Sequence, residues 1–247
     1  MKKKIFLTSL ALILILGAIA YMVYGYYHKA NLKAENPVVT MEIKDYGTIK
    51  IELYPDMAPN TVKNFVKLIN EGYYNGLTFH RIEDMLIQGG DTAGDGSGQT
   101  EFSINGEFNK NGYENSLKFE RGTLGLARLD YTQFASMDSS LIEEGYNSGY
   151  AQFFIMTQDI PAFDGYYCSF GKVIEGIEIV DEITKLETEE ETDEETGETT
   201  QTTKPVNPPV ISNVTVDTFG VEYGEPETHT TFDINSWFMS QYYGLSY

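Results

Sequence analysis

The chain has 247 residues, of which 41% are hydrophobic and 22% charged, and its formal net charge is −20. This balance suits one good-sized domain with appendages or two small ones, and it excludes nucleic acid as an expected partner, because affinity for phosphates rests on clustered Lys and Arg. The single cysteine, Cys168, excludes an internal disulfide, so stability has to come from packing.

Lys2 to Lys4 precede an uncharged run from Ile5 to Tyr27, close to the ~20 residues that span a bilayer as a helix. A basic flank stays in the cytoplasm, so the rest of the chain is expected outside it. Two readings stand for residues 1–27. The continuing apolar run with its tyrosine-rich end favours an uncleaved anchor, whereas Ala18 and Ala20 supply the small residues of a cleaved signal peptide. The protein is therefore expected at the cell membrane, single-pass with its main domain outside the cytoplasm, or secreted.

A polar linker, 28–37, leads to "VVTMEIKDYGTIKIELYP", in which Val39, Met41 and Ile43 and then Ile49, Ile51 and Leu53 alternate around a Tyr-Gly turn, predicting a β-hairpin. Val62, Phe65, Val66 and Ile69 then recur at helical spacing, with Pro59 near the start and Gly72 past the end. Short strand-like runs follow, "LTFHRI", "MLIQGG", "GTLGLAR", "AQFFIMT" and "YYCSFGKVI", separated by turn residues. Ile179, Val180, Ile183 and Leu186 mark a second helix. The stretch 187–204 comes next; eight acidic residues and no basic one lie between Glu187 and Glu198, and this acidic insertion is expected to be disordered. "PPVISNVTVDTF" resumes the alternation. The last segment, 220–247, is unusually aromatic for a solvated tail and is expected to dock onto another surface. The order of elements predicts a mainly β fold, an antiparallel barrel with two helices.

Five segments in sequence, "FHRIEDMLIQGGD", "GDGSGQ", "GTLGLAR", "AQFFIMT" and "FDGYYCSFGKVIEG", resemble the signatures of the cyclophilin-type peptidyl-prolyl cis-trans isomerases over residues 38–219. The resemblance implies a closed eight-stranded antiparallel barrel capped by two helices, with the N-terminal transmembrane helix added in this chain, and a bacterial, membrane-anchored or secreted member of the family. It also implies a monomer, no cofactor, no metal, and proline-containing polypeptides as substrates, with the membrane as the only other partner, contacted through the N-terminal segment.

The chemistry implied is rotation about the X-Pro bond, whose partial double-bond character sets a barrier of ~18–20 kcal/mol. By resemblance, Arg81 donates toward the proline nitrogen as its lone pair localises, and Gln88 helps hold the substrate carbonyl; an interaction stronger in the twisted state is what acceleration requires. Phe154 is expected as the floor of the proline pocket, with Met85 and Leu86 as walls. Phe79, Ala127, Arg128, Gln152, Phe163 and Tyr167 are expected to complete the substrate-binding surface. A non-catalytic module or chaperone that holds proline segments in the same groove is the competing reading. The Arg81 to Gln88 loop is one residue shorter than the family pattern, Met85 stands where phenylalanine is common, and Leu129 to Ala151 is a long insertion beside the groove.

Overall fold

The computed structural model describes residues 14–24, 35–98, 100–193 and 198–243, the side chains of 242 and 243 excepted. The chain divides into two units, Met1–Glu35 and Asn36–Tyr247. In the first, residues 14–24 form an exposed helix, α1; the remainder of the expected spanning run, residues 5–13 and 25–27, lies outside the described residues. Among the described residues, no helix is long and apolar enough to cross a membrane.

The second unit is built on one eight-stranded antiparallel sheet. Its strands are β1 (Val38–Ile43), β2 (Gly47–Leu53), β3 (Thr78–Glu83), β4 (Leu86–Asp91), β6 (Thr123–Leu126), β7 (Phe153–Met156), β8 (Cys168–Glu175) and β11 (Ile211–Asp217). They lie in the order β11-β1-β2-β8-β6-β7-β4-β3. The predicted first hairpin is β1–β2, paired from Val38↔Glu52 to Ile43↔Gly47. The full closure expected of the barrel is corrected here. Between the outer strands β3 and β11 there is a single bridge, Thr78↔Val210, with Phe79 N–H donating to the Pro209 carbonyl and Ile211 N–H to that of Leu77. The segment between β10 and β11 carries Pro208 and Pro209, and proline has no N–H to continue a ladder.

Helix α2 (Pro59–Asn70) buries Val62, Phe65, Val66 and Ile69, the apolar stripe read from its spacing. Phe65 sits among Tyr74, Phe153 and Phe170 at ring-centroid distances of 5.0, 5.6 and 5.2 Å. Its N-terminus has no capping side chain of its own, since Ala58 occupies that position. Glu107, buried, substitutes from a distant loop: Asn60 N–H donates to its Oε1 (3.0 Å), and Thr61 N–H and Oγ1 donate to its Oε2 (both 2.8 Å). Helix α4 (Ile177–Ile183) buries Val180 and Ile183 in the same core.

The acidic insertion departs from its expected disorder. β9 (Thr188–Thr192) and β10 (Thr199–Pro205) pair as an antiparallel hairpin, with 194–197 between them outside the described residues. Threonine suits a strand, and cross-strand contacts supply what the core does not: the Thr192 and Thr199 hydroxyls meet at 2.9 Å and Lys204 pairs with Glu189 at 2.8 Å. β10 lies alongside β3, covering that edge of the sheet.

The long insertion after β6 folds into a 3₁₀ turn (Thr132–Phe134) and a short helix, α3 (Leu141–Tyr146). The aromatic tail docks on it. β12 (His229–Thr230) pairs with β5 (Phe102–Ser103), Phe232 meets Tyr131 at 6.0 Å, and Phe238 of α5 (Ile234–Tyr243) meets Phe134 at 5.1 Å.

Candidate active site

Register places the principal residues in one row. Arg81 on β3 lies opposite Gln88 on β4, Gln88 opposite Phe154 on β7, and Phe154 opposite Gly125 on β6. Residues opposite each other in neighbouring strands share a face, so four sequence segments contribute to one surface. Gly125 is required there: an added Cβ would lie 2.3 Å from Phe154 Cζ and 2.8 Å from the Phe119 ring.

Strict alternation would put Phe79 and Arg81 on the same side of β3. The pairing Phe79↔Gly89 followed by Arg81↔Gln88 instead sets two steps of β3 against one of β4, leaving His80 as a bulge. Phe79 therefore turns into the barrel core, fully buried with its ring 6.0 Å from that of Phe153. Its expected place in the substrate surface is thus corrected, while Arg81 remains on the groove side, 40% exposed.

A chain of side-chain hydrogen bonds crosses the row. Arg81 Nη1 donates to Gln88 Oε1 (2.8 Å), Gln88 Nε2 to Gln152 Oε1 (2.9 Å), and Gln152 Nε2 to the Gly96 carbonyl (3.2 Å). The other edge of the guanidinium is held by Glu83 Oε1, which accepts from Nη2 (2.5 Å) and Nε (2.9 Å). Glu83 was not among the residues singled out in the sequence; its position two residues beyond Arg81, hence on the same side of a strand, is the signal that finds it.

Beside this polar row lies an apolar cluster separate from the main core. Leu86, Phe119, Phe154 and Met156 are buried in it, and Met85, Ala127, Ile160, Phe163 and Tyr167 pack around them. Phe119 stacks on Phe154 at 5.7 Å with an interplanar angle of 20°, while Phe163 and Tyr167 meet Phe154 edge-on at 6.0 and 5.8 Å. Phe119 and Met156 are further residues the sequence reading did not assign. Arg128 lies at the edge, its guanidinium 4.5 Å above the Tyr167 ring and donating to the Tyr166 and Leu129 carbonyls.

His80 sits behind the row with neither ring nitrogen hydrogen-bonded. Burial pulls its pKa below the ordinary 6.5, against the opposing pull of Asp91; Arg81 lowers it further and Asp95 raises it. Asp91 itself ties down the glycine turn, its Oδ2 accepting from the Asp95 and Gly96 amides at 3.1 and 2.8 Å.

An arginine donor fixed beside a boxed apolar floor is an arrangement for a planar amide attached to a small apolar ring. The family model described as cyclophilin type peptidyl-prolyl cis-trans isomerase matches residues 38–216. The chain belongs to that family. Among curated proteins, the cyclophilin resembles peptidyl-prolyl cis-trans isomerase B of Bacillus subtilis, with 36% identity over 143 residues, 58% of this chain and 87% of that one. Peptidyl-prolyl cis-trans isomerase-like 3 of Gallus gallus is 38% identical over 148 residues, 59% of this chain and 81% of the other. Against the longer isomerase-like 2 of Gibberella zeae, 34% identical over 145 residues, the match covers 58% of this chain and 22% of that protein. A crystal structure of a Cryptosporidium parvum cyclophilin type isomerase in the presence of the dipeptide Ala-Pro has a TM-score of 0.56 and 27% identity, covering 73% of this chain and 98% of that one.

Proposed function

We propose that this cyclophilin catalyses rotation about X-Pro bonds in exported polypeptides, acting as a monomer held at the outer side of a membrane by its N-terminal segment. The single observation that carries the catalytic part is the row Arg81, Gln88, Phe154, with Arg81 Nη1 on Gln88 Oε1 at 2.8 Å and the Phe154 ring in its own apolar cluster. The proline ring packs on Phe154, Met85 and Leu86; the nitrogen faces Arg81. As the amide twists, that nitrogen gains a lone pair and accepts from the guanidinium. No proton moves and no covalent bond forms. The lysines before Ile5 and the uncharged run to Tyr27 support the location.

The test is Arg81→Ala in an X-Pro peptide assay. Losing one preorganised donor removes about 2–4 kcal/mol of transition-state stabilisation, roughly 30- to 1000-fold in kcat/KM, while peptide affinity by NMR titration changes far less. An unchanged rate, or a parent without turnover on several peptides, replaces the enzyme with a proline-binding module. For location, membrane association that survives a high-salt wash supports the anchor, and a soluble chain beginning near Tyr21 overturns it.

A further inference from the structure

Beyond residue 216, where the match to the family model ends, the chain returns along its own surface as a strap. Before Pro226 it is fixed twice: Tyr223 packs against the main core, and Glu225 pairs with Lys67 of α2 at 2.5 Å. Just after Pro226, the Asn60 side chain, also on α2, donates to the Glu227 carbonyl (2.8 Å) and accepts from the Glu227 N–H (2.7 Å). His229 and Thr230 then pair with Ser103 and Phe102, and Phe238 reaches Phe134.

The Glu225–Pro226 bond thus lies between contacts made by its two flanking residues. No cis bond occurs among the described residues, so this one is trans. Successive Cα atoms are about 3.8 Å apart across a trans link and ~2.9 Å across a cis one, and the chain leaves in a different direction. Lys67 and Asn60 stand two turns apart on one rigid helix, about 10 Å along its axis, so they suit residues 225 and 227 in one isomer only. Trans seats the strap and cis unseats it. Once released, an X-Pro bond is about 10–30% cis and changes over tens to hundreds of seconds. Release at this point costs little, because the Glu225 side chain is 79% exposed and such an ion pair adds little stability, while the Asn60 bonds are also at the surface.

Resting on the isomerase reading, we propose that Glu225–Pro226 is the latch of the C-terminal strap and a substrate of this protein, turned by a second copy of the chain. The segment presented is Gly-Glu-Pro-Glu, residues 224–227. A second copy is needed because Tyr223 tethers Pro226 within about 10 Å of its own anchor. Helix α2 packs on Phe153, whereas the Arg81 row carries the next residue, Phe154, which faces the other side of β7. Rotation about the bond needs no co-reactant, and the strap reseats once the bond is trans.

The experiment uses Trp237, the only tryptophan, which lies in the strap with its ring 5.0 Å from that of Phe238. Full-length Arg81→Ala, which does not catalyse its own latch, refolds from denaturant while Trp237 fluorescence follows the strap and circular dichroism follows the sheet. About 10–30% of the fluorescence change lags the dichroism, with a relaxation time of about 100 s. In Arg81→Ala with Pro226→Ala the lag is absent. Full-length Trp237→Phe, silent in fluorescence, is then added at about 10 µM. At the low end of the usual kcat/KM range, ~10⁴ M⁻¹s⁻¹, it shortens the lag about tenfold, to ~10 s. Trp237→Phe that also carries Arg81→Ala leaves the lag unchanged. No lag in Arg81→Ala, or a lag that survives Pro226→Ala, overturns the latch. A lag that Trp237→Phe fails to shorten, although the same preparation turns over an X-Pro peptide, overturns the second-copy substrate. A preparation inactive on both the lag and the peptide overturns the isomerase reading, while Pro226→Ala still decides the latch.

Discussion

At the scale of single residues, the Arg81 guanidinium is held in place by its neighbours. A guanidinium has five N–H donors. Two are on Glu83 and one on Gln88, which leaves one on each terminal nitrogen for the groove. Glu83 is therefore expected to position Arg81. Glu83→Ala lowers kcat about tenfold, ~1.4 kcal/mol, with KM nearly unchanged, and Glu83→Gln, whose amide oxygen still accepts, restores most of it. Melting temperature stays close to the parent's in both, because a half-exposed ion pair contributes little to stability. His80 behaves differently. Its folded pKa is depressed, so the unfolded chain binds the proton more readily: stability is complete above 6.5 and is lost as pH falls through the lower, folded value. Melting temperature measured from pH 7.5 to 5 should show that fall, and His80→Phe should flatten it. That Arg81, Gln88 and Phe154 share one surface was legible because all three lie within a run of motifs, and the register brings them together. Phe79 was misplaced since a bulge leaves no mark in the alternation of a six-residue strand. Phe119, far from the motif in sequence, joins the pocket only through folding.

At the scale of elements, periodicity identified α2 but not what starts it, since Glu107 reaches the helix from a loop remote in sequence. Glu107→Gln removes a charge-assisted acceptor from buried amides and the helix N-terminus. A loss of about 1–3 kcal/mol is expected, lowering the melting temperature by roughly 2–4 °C for each kcal/mol. Calorimetry checks it, and the Arg81 row lies elsewhere, so turnover at low temperature should persist. The β9–β10 hairpin shows the opposite error. Composition argued for disorder because it counts charge and missing apolar surface, while the ladder rests on paired threonines, one ion pair and an available edge at β3. The tail was legible only as an excess of aromatic residues; its partners, Tyr131 and Phe134, lie in an insertion with no pattern of its own.

At the scale of the whole molecule, all buried core residues of the main cluster lie between Val39 and Val214. A chain starting at Asn36 is therefore expected to keep the melting temperature and kcat/KM of the full protein within experimental error, measured side by side; a drop of several degrees would show that residues 1–35 contribute to the folded domain. The barrel's general architecture was readable, but its incomplete seam was not, because closure depends on Pro208 and Pro209 meeting β3, a long-range event. The pairing of β1 with β11 has a kinetic side as well. The first strand of the domain to leave the ribosome finds its outer partner only when nearly the last strand is available, and such distant pairings carry a large loop-closure entropy into the folding barrier. A chain that emerges N-terminus first would thus hold β1 with one edge unpaired until its final strand arrives. Folding of this domain should be a late, post-release event, slow relative to the hairpins it contains.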